Sequence, residues 1–568
     1  MNDWLNYVNL VLLFSIFAVS LNLLLGYAGI LSAGQAALGA MGGYTTAWVT
    51  TSWGWNPWLG VLLGIAIAAA VGLLLAIPSL PLPAEYVILL TLVAGEALIG
   101  LAIASPVLGG VFGIQSIPAP FVFGIELTRA VNWVIPLLIG GAIVYSICWR
   151  IGESPFGRVL RATRDDERAA SSVGKHVFRY RVWTFVITAA MAGLAGGLFA
   201  LYLGISSPTV YGFDVSMGIF AMVVLGGVAN LRGSILGAII VVFSTPVLQR
   251  LLDLPPERES FVRIAIYGLL LVVVIRFRPQ GILPERHSRS AKKISAAHIA
   301  ETHGTSPILQ AHPSDELVLR TTELSKSFGG VVAADDLSLE LHKGTITALV
   351  GPNGAGKTTV FNLLTGYLRP DRGSVQLYSK ELGGLRPDEI AKNGMVRTFQ
   401  DVRIWPGMSV LDNVAIAIPQ QAGEHIDQLF RPGRQVSRRE TTVLHEAYEW
   451  LSFVGLEDMA GDSAGELSYG QSKLLSLARV MATNAPVVLL DEPVSGVDTA
   501  WADRMLALVE DMRNAGRTIC LVEHNLHVVD RLATRAYFMD LGRIIAEGTL
   551  AELTASPELA RTYFGLRS

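Results

Sequence analysis

Charge is what the first part of this sequence lacks. Up to Arg150 its only charged residues are Asp3, Glu85, Glu96, Glu126, Arg129 and Arg150. So few charges cannot cover the surface of a water-soluble domain of that length, which excludes a soluble fold there. Cysteine is nearly absent as well. Cys148 and Cys520 stand far apart, which excludes a disulfide framework and a cysteine metal site. The net charge of −3 leaves no basic excess, so nothing points to nucleic acid. The first apolar segment has neither a basic start nor a small-residue cleavage site, and more apolar segments follow. It is expected to be a retained helix, not a signal peptide.

What is present divides in two. At 568 residues the chain exceeds a single core. Its mean hydropathy of +0.46 averages an apolar first half and a second half, from about Ser314, as charged as a cytosolic enzyme. The expected organisation is a membrane domain over 1–278, a flexible cytosolic linker over 279–314 and a soluble domain over 315–568. The linker is Ser-, Ala-, His-, Lys- and Pro-rich without periodicity, with a coil reach of about 35 Å.

A crossing helix needs roughly 20 apolar residues. Leu5–Leu25, Ile30–Thr50, Trp58–Ile77, Tyr86–Ser105, Val131–Trp149, Val182–Gly204, Val215–Ala229, Ile235–Leu251 and Phe261–Phe277 qualify or nearly do. That gives about nine spans, with the Gly-rich second and the short seventh as candidates for broken helices. Arg158, Arg161, Arg164, Arg168, Lys175 and Arg179 mark one cytosolic loop. Arg276, Arg278, Arg286, Arg289, Lys292 and Lys293 mark a cytosolic tail. The N-terminus and the Pro- and Gly-rich loop Pro106–Arg129 are then expected outside.

Gly34, Gly39, Gly42 and Gly43, with Gly193, Gly196 and Gly197, are expected to let helix backbones approach closely. Glu96 is costly inside an apolar span. It is expected to face the bundle interior, paired or protonated, in either a structural or a substrate-path role. Gln35 carries the same two readings.

The second half holds sharper signals. An apolar β-like run, Thr345–Val350, leads into Gly351-Pro-Asn-Gly-Ala-Gly-Lys-Thr-Thr359. Strand, glycine-rich loop and helix in that order form a phosphate cradle of backbone N–H groups at a helix's positive end. Gly351, Asn353, Gly354, Gly356, Lys357, Thr358 and Thr359 are its candidate nucleotide-binding residues. Lys357 supplies a point charge and the Thr358 hydroxyl a magnesium ligand. Val487-Val-Leu-Leu-Asp491-Glu492 reads as a buried strand ending in two carboxylates. Asp491 is placed to hold magnesium through water, and Glu492 to orient or deprotonate the attacking water.

Leu467-Ser-Tyr-Gly-Gln471 resembles the signature motif of ABC ATPases, with Tyr469 in place of the commoner glycine. The resemblance implies that Ser468, Gly470 and Gln471 close on the ATP held by an opposing subunit. It implies a catalytic and magnesium-contacting role for Gln400 and a γ-phosphate contact for His524. Ser495-Gly-Val-Asp498 resembles the loop joining two ATP sites. Phe328 falls where that family stacks an aromatic on adenine, although Gly329-Gly330 behind it also suits a turn anchor.

The resemblance narrows further. Arg397-Thr-Phe-Gln-Asp-Val-Arg-Ile404, the signature stretch and Arg561-Thr-Tyr-Phe-Gly565 resemble ATP-binding subunits of branched-chain amino acid ABC importers. Leu21–Gly29, Leu31–Gly39, Gly157–Arg168, Ala192–Leu198 and Val224–Asn230 resemble a permease of the same system.

The fold class implied is an all-α polytopic membrane domain fused to an α/β P-loop ABC ATPase. The implied activity is ATP hydrolysis, with ATP and Mg2+ as cofactors, coupled to import of branched-chain amino acids, short amides or urea. The implied partners are a second permease, a second ATPase and a solute-binding protein, a heteromer being favoured over a homodimer. The implied place is the bacterial inner membrane, among its lipid, with the ATPase domain cytoplasmic. Glu153–Gly174 is the candidate coupling loop, expected to dock near Gln400. The rivals are an exporter, against which the short inner loops speak, and an ATP-regulated channel or regulatory ATPase, against which Glu492 and His524 speak.

Overall fold

The computed structural model describes residues 2–252, 265, 268–269, 272–274, 276–285, 314, 316–424, 426–429 and 434–556. The chain forms two compact units: Met1–Arg164 with Val177–Arg286, and Asp165–His176 with His287–Ser568. The short excursion 165–176 thus leaves the apolar half and belongs to the second unit.

The first unit is helical: α1 (Asn2–Asn22), α2 (Gln35–Ser52), α3 (Pro57–Ser79), α4 (Ala84–Ala104) and α5 (Ala130–Gly152) lead to α6 (Pro155–Asp165). After the excursion, which holds α7 (Glu167–Ser172), come α8 (Val177–Leu203), α9 (Phe213–Gly226) and α10 (Leu231–Leu252). Among the described residues, six stretches are long and apolar enough to cross a membrane by length and composition: Trp4–Tyr27, Pro57–Ser79, Ala84–Ala104, Ala130–Gly152, Val177–Leu203 and Pro208–Gly226.

The second expected span departs from its sequence reading. Residues 28–34 have no regular structure and α2 starts only at Gln35, its hydropathy diluted by glycine and threonine. The eighth is represented among the described residues by a shorter apolar helix, Leu231–Ser244. The ninth, Phe261–Phe277, lies largely outside the described residues, as do the linker from 286 to 313 and the Arg561–Gly565 stretch.

The glycines do pack backbone on backbone. A Cβ on Gly42 would lie 2.0 Å from the Gly193 carbonyl oxygen, and one on Gly196 would lie 1.9 Å from that of Gly39, so α2 and α8 touch along their small-residue faces.

Glu96 corrects an expectation: it is exposed on the outer face of α4, not turned into the bundle. The reason is helical phase. Thr91 and Gly95, one turn apart, face α2, where Ala33 N–H donates to Thr91 Oγ1 at 3.2 Å, and the next residue is carried round the helix by about 100°. Gln35 is buried and donates through Nε2 to Ser20 Oγ at 2.7 Å, while its Oε1 has no partner among the described residues.

One end of this unit gathers the chain's reversals. Asn22 donates to the carbonyls of Gly227 and Asn230 and accepts from Ala229 N–H. Arg164 donates to the Gly26 carbonyl and pairs with Glu285 at 3.0 Å. Ile282 and Leu283 donate to the carbonyls of Leu225 and Gly226, so the start of the expected linker is tied to the α9–α10 turn.

The second unit has two sheets. A five-stranded antiparallel sheet is centred on Leu317–Phe328. The other has six strands, in the order Met395–Arg397, Val487–Asp491, Thr518–Val522, Ile346–Val350, Arg535–Asp540, Arg543–Gly548. The first five are parallel and the last joins antiparallel. Ile346–Val350, Val487–Asp491 and Thr518–Val522 are buried at every position, as expected of a sheet covered on both faces. Parallel registry has a direct consequence for chemistry. Asp491 lies opposite Val522, and Val522 opposite Leu349, so the carboxyl ends of these strands share one edge. In open parallel sheets that edge is where ligands bind.

Candidate nucleotide-binding site

The loop after Ile346–Val350 is shaped by glycine. Gly354 and Gly356 have φ of +85° and +101°, and a Cβ on Gly356 would meet the Ala333 carbonyl oxygen at 2.2 Å. Only glycine fits there without strain. The helix Lys357–Leu364 begins at once behind it. Lys357 is buried, and its Nζ donates to the carbonyls of Gly351 and Pro352 at 2.7 and 2.8 Å, which holds the ammonium at the loop. Burial lowers its pKa, against the opposing pull of Glu492 and Asp491. The hydroxyl-bearing Thr358 is exposed beside it, as are Asn353 and Gly354, and Thr359 is half-buried.

The two strand-end carboxylates differ sharply. Asp491 is 2% exposed and its Oδ2 pairs with Arg397 at 3.0 Å. Burial raises its pKa, partly offset by Arg397. Glu492 leaves the strand with φ of +45°, a left-handed value rare for a side-chain-bearing residue. That turn is held by Glu492 N–H donating to the Val522 carbonyl at 3.0 Å and by Lys473 Nζ donating to the Glu492 carbonyl at 2.8 Å. It sends the carboxylate out of the sheet edge toward two expected partners. Gln400 Nε2 donates to Glu492 Oε2 at 3.2 Å, and His524 Nδ1 lies 3.8 Å from Oε1. Three residues far apart in sequence, Gln400, Glu492 and His524, thus meet.

The donor set suits a nucleoside triphosphate with a hard divalent cation: backbone N–H groups and a lysine for phosphate, with hydroxyl, carboxylate and amide oxygens for the metal. Among the described residues no three His, Cys, Asp or Glu side chains form a metal cage of their own. A cation here would therefore be shared with phosphate oxygens, the usual manner of Mg2+. Thr358 and Asp491 are the residues that would hold it, with Gln400 close to Glu492.

Other expected site residues are engaged elsewhere within the unit. Ser468 caps the helix Tyr469–Ala482 in a reciprocal pair with Gln471, and a Cβ on Gly470 would crowd the Trp501 ring. These three present a helix start, with Tyr469 exposed beside it. Asp498 caps the helix Thr499–Asn514 through Trp501 N–H. Phe328 is exposed at the end of its strand, with the Lys326 ammonium 5.7 Å from the ring centre.

Two residues at the site had not been singled out from the sequence. Lys473 reaches the Glu492 carbonyl from the buried face of the signature helix. Arg397 ends its strand with a buried guanidinium among Phe361, Tyr367 and Phe399. A charge at the end of an apolar strand was the available signal for Arg397.

The excursion 165–176 packs on this unit beside the site. Arg403, three residues after Gln400, pairs with Asp166 at 2.8 Å, and Trp405 Nε1 donates to the Asp166 carbonyl at 3.5 Å. Arg479 donates to the Arg403 carbonyl at 2.6 Å and stacks over Trp405 at 4.6 Å. Full burial pushes the Arg479 pKa down to about 10. Lys175 pairs with Glu424 at 2.5 Å.

Both halves of the chain match known protein families. Residues 4–274 match a family described as the permease component of the branched-chain amino acid transport system, and residues 334–495 match the ABC transporter family. A high-affinity branched-chain amino acid transport ATP-binding protein, LivG of Salmonella typhimurium, is 36% identical over 249 residues, 44% of this chain and 98% of its own. The corresponding BraF of Pseudomonas aeruginosa is 34% identical over 253 residues, again 44% of this chain and 98% of its own. A solved nucleotide-free ATP-binding cassette from an ABC transporter is 33% identical over 44% of this chain and 98% of its own, with a TM-score of 0.38.

Proposed function

This chain belongs to the ABC transporter family, as a permease fused to an ATPase, and from that premise we propose that it imports branched-chain amino acids or related small polar solutes at the expense of ATP. One observation carries the reading: both halves match parts of the same transport system, although each alone is a separate kind of subunit. It acts as the permease-plus-ATPase subunit of a larger assembly with a second permease, a second ATPase and a solute-binding protein. A heteromer is favoured over a homodimer. Its place is the bacterial inner membrane, with ATP hydrolysed on the cytoplasmic side. The working boundaries are permease 1–278, linker 279–314 and ATPase 315–568.

Each residue has a task that its geometry supports. The loop Gly351–Thr359 wraps the phosphates with backbone N–H groups, and Lys357 neutralises them. Magnesium, when bound beside Thr358 and Asp491, offsets the charge on the phosphate oxygens. Glu492 orients and deprotonates the attacking water. Gln400 holds the Glu492 carboxylate through Oε2, and His524 contacts the γ-phosphate. Phe328 stacks on adenine. Ser468, Gly470 and Gln471 serve the nucleotide held by the opposing ATPase subunit, a reading supported by their place at the start of one helix. Binding of two ATP molecules draws two ATPase domains together. Of the coupling loop Glu153–Gly174, the part from Asp165 on lies in the excursion 165–176, which is held by Arg403 and Glu424 and carries that closure into the permease as the coupling segment.

Uptake of labelled leucine, valine, urea and a short amide in cells with and without the gene tests the proposal. Loss of one cargo on deletion is expected, restored by the wild type and not by Lys357→Ala. If all four persist in the deletion strain, this substrate class is wrong.

A further inference from the structure

Arg397 is 3% exposed and satisfies three directions at once. Its Nη2 donates to Asp491 Oδ2 at 3.0 Å, its Nη1 to Asn362 Oδ1 at 2.6 Å and its Nε to the Thr398 carbonyl at 3.1 Å. Asn362 lies on the helix Lys357–Leu364, so one guanidinium braces both the phosphate-loop helix and the carboxylate expected to hold the cation. Asp491 is fixed from its backbone too, its N–H donating to Thr398 Oγ1 at 3.1 Å. With Oδ2 committed to Arg397, Oδ1 is the oxygen left for a ligand.

The guanidinium sits in an aromatic box, its carbon 4.7 Å from the Phe399 ring centre, 5.7 Å from Phe361 and 5.9 Å from Tyr367. Phe399 and Tyr367 are themselves edge-to-face at 5.8 Å. Tyr367 also reaches outward. Its hydroxyl donates to the backbone carbonyl of Arg168 at 2.7 Å, in the excursion 165–176. A packed path therefore runs from the Arg168 carbonyl through the Tyr367 ring and the Arg397 guanidinium to Asp491, and it does not use Gln400.

We propose that Tyr367 and Arg397 are positioning residues that link the excursion 165–176 to the Asp491 carboxylate, a second route of coupling beside Gln400. The inference rests on the reading of 165–176 as the coupling segment. A shift of that segment pulls the Tyr367 ring. The ring is part of the box that orients Arg397, and Arg397 sets the direction of Asp491. A planar, multiply bonded guanidinium suits this task where a lysine, a point charge, does not. Coupling through packed groups requires an element that both ends bias, and Arg397 is bonded to both nucleotide-side elements.

The test uses the full chain in lipid nanodiscs with a non-hydrolysable ATP analogue, and Mn2+ in place of magnesium as a spectroscopic probe. Arg397→Lys is expected to weaken Mn2+ binding about tenfold and Tyr367→Phe about threefold, with metal-free nucleotide affinity within about twofold of the wild type. A merely structural role would move both affinities together. Tyr367→Phe removes a single oxygen and keeps the ring, so it covers the case in which Arg397→Lys does not fold. Leucine uptake is measured alongside for Tyr367→Phe and for Arg403→Gln, which severs the contact to Asp166. Uptake lowered by both variants, with Mn2+ affinity weakened as stated, supports the route. Uptake lowered by Arg403→Gln alone, with Tyr367→Phe normal in both assays, overturns the route and leaves the coupling segment standing. Uptake unchanged by Arg403→Gln removes the coupling reading and the route with it.

Discussion

Gln400 Nε2 lies 3.2 Å from Glu492 Oε2, two side chains that approach from different strand ends of the parallel sheet. The strained backbone at Glu492, φ +45°, is what turns its carboxylate toward Gln400. This pairing ties the residue assigned to activate water to a loop that continues, three residues later, into the Arg403–Asp166 contact.

Glu492→Gln is therefore expected to bind ATP and fail to turn it over. General-base catalysis is worth about 10²–10⁴-fold, so phosphate release should fall by that order while nucleotide affinity stays near the wild-type value. Phosphate release and equilibrium nucleotide binding, measured on one preparation, check it. Normal turnover in this variant sinks the assignment.

Lys357→Ala removes a charge-assisted contact worth about 1.5–3 kcal/mol, or roughly ten- to hundredfold in nucleotide affinity. The wild-type side chain also sets a pH dependence. Burial lowers the pKa of Lys357 below its usual 10.5, and bound phosphate raises it again by pairing with the ammonium. Binding therefore takes up a proton at alkaline pH. Affinity is full below the lowered pKa and declines as pH rises through it, earlier than for an unperturbed lysine. Titration of ATP affinity from neutral to alkaline pH reads this directly, and the decline should vanish in Lys357→Ala.

Asp166 does two jobs, and two variants separate them. Its carboxylate pairs with Arg403 and also accepts from Ala169 N–H at the start of α7. Asparagine caps a helix about as well as aspartate, so Asp166→Asn should keep α7 and lose only the charge. Asp166→Ala loses the cap too, at about 1 kcal/mol. Both are expected to lower uptake with ATP binding intact, and Asp166→Ala should also exchange amide hydrogens faster over 167–172.

Arg397→Ala leaves Asp491 buried without its counter-charge. Breaking a buried pair by removing one partner costs about 3–5 kcal/mol. A lowered thermal midpoint of the ATPase transition in the full chain is the expected outcome, larger than for removal of the exposed pair Arg320–Glu340, which is worth about 0–1 kcal/mol.

Gly196→Ala tests the packing of α2 on α8. The added carbon would lie 1.9 Å from the Gly39 carbonyl oxygen, so one backbone must move. Overpacking of this kind costs about 1–3 kcal/mol. A loss of detergent-resistant folded protein is expected, whereas Gly218→Ala, with open space at its Cβ, should behave as the wild type.

Much of the nucleotide site was legible because its chemistry is local. The loop Gly351–Thr359 needs glycine where φ is positive and a lysine at a fixed offset, and both requirements are written in consecutive residues. The Asp491-Glu492 pair is legible for the same reason: an apolar run buried at every position must end where the sheet ends. The apolar spans are legible because lipid demands length and hydropathy. Tyr367 and Lys473 were not, because their partners lie on other strands and helices and no spacing in the chain records them.

What the sequence determined by itself is therefore the set of solvents and local backbone shapes: a half that requires lipid, a half that requires water, and a phosphate loop between strand and helix. What the tertiary structure decided is direction and company. Glu96, read as interior, lies on the exposed face of α4 because Thr91 and Gly95 claim the packed side. Lys473, on the helix Tyr469–Ala482, meets the Glu492 carbonyl at the end of a separate strand. The physical reason is the same in both cases. Composition fixes whether a side chain can be buried, while helix phase and strand registry, set by many distant contacts at once, fix which neighbour it meets.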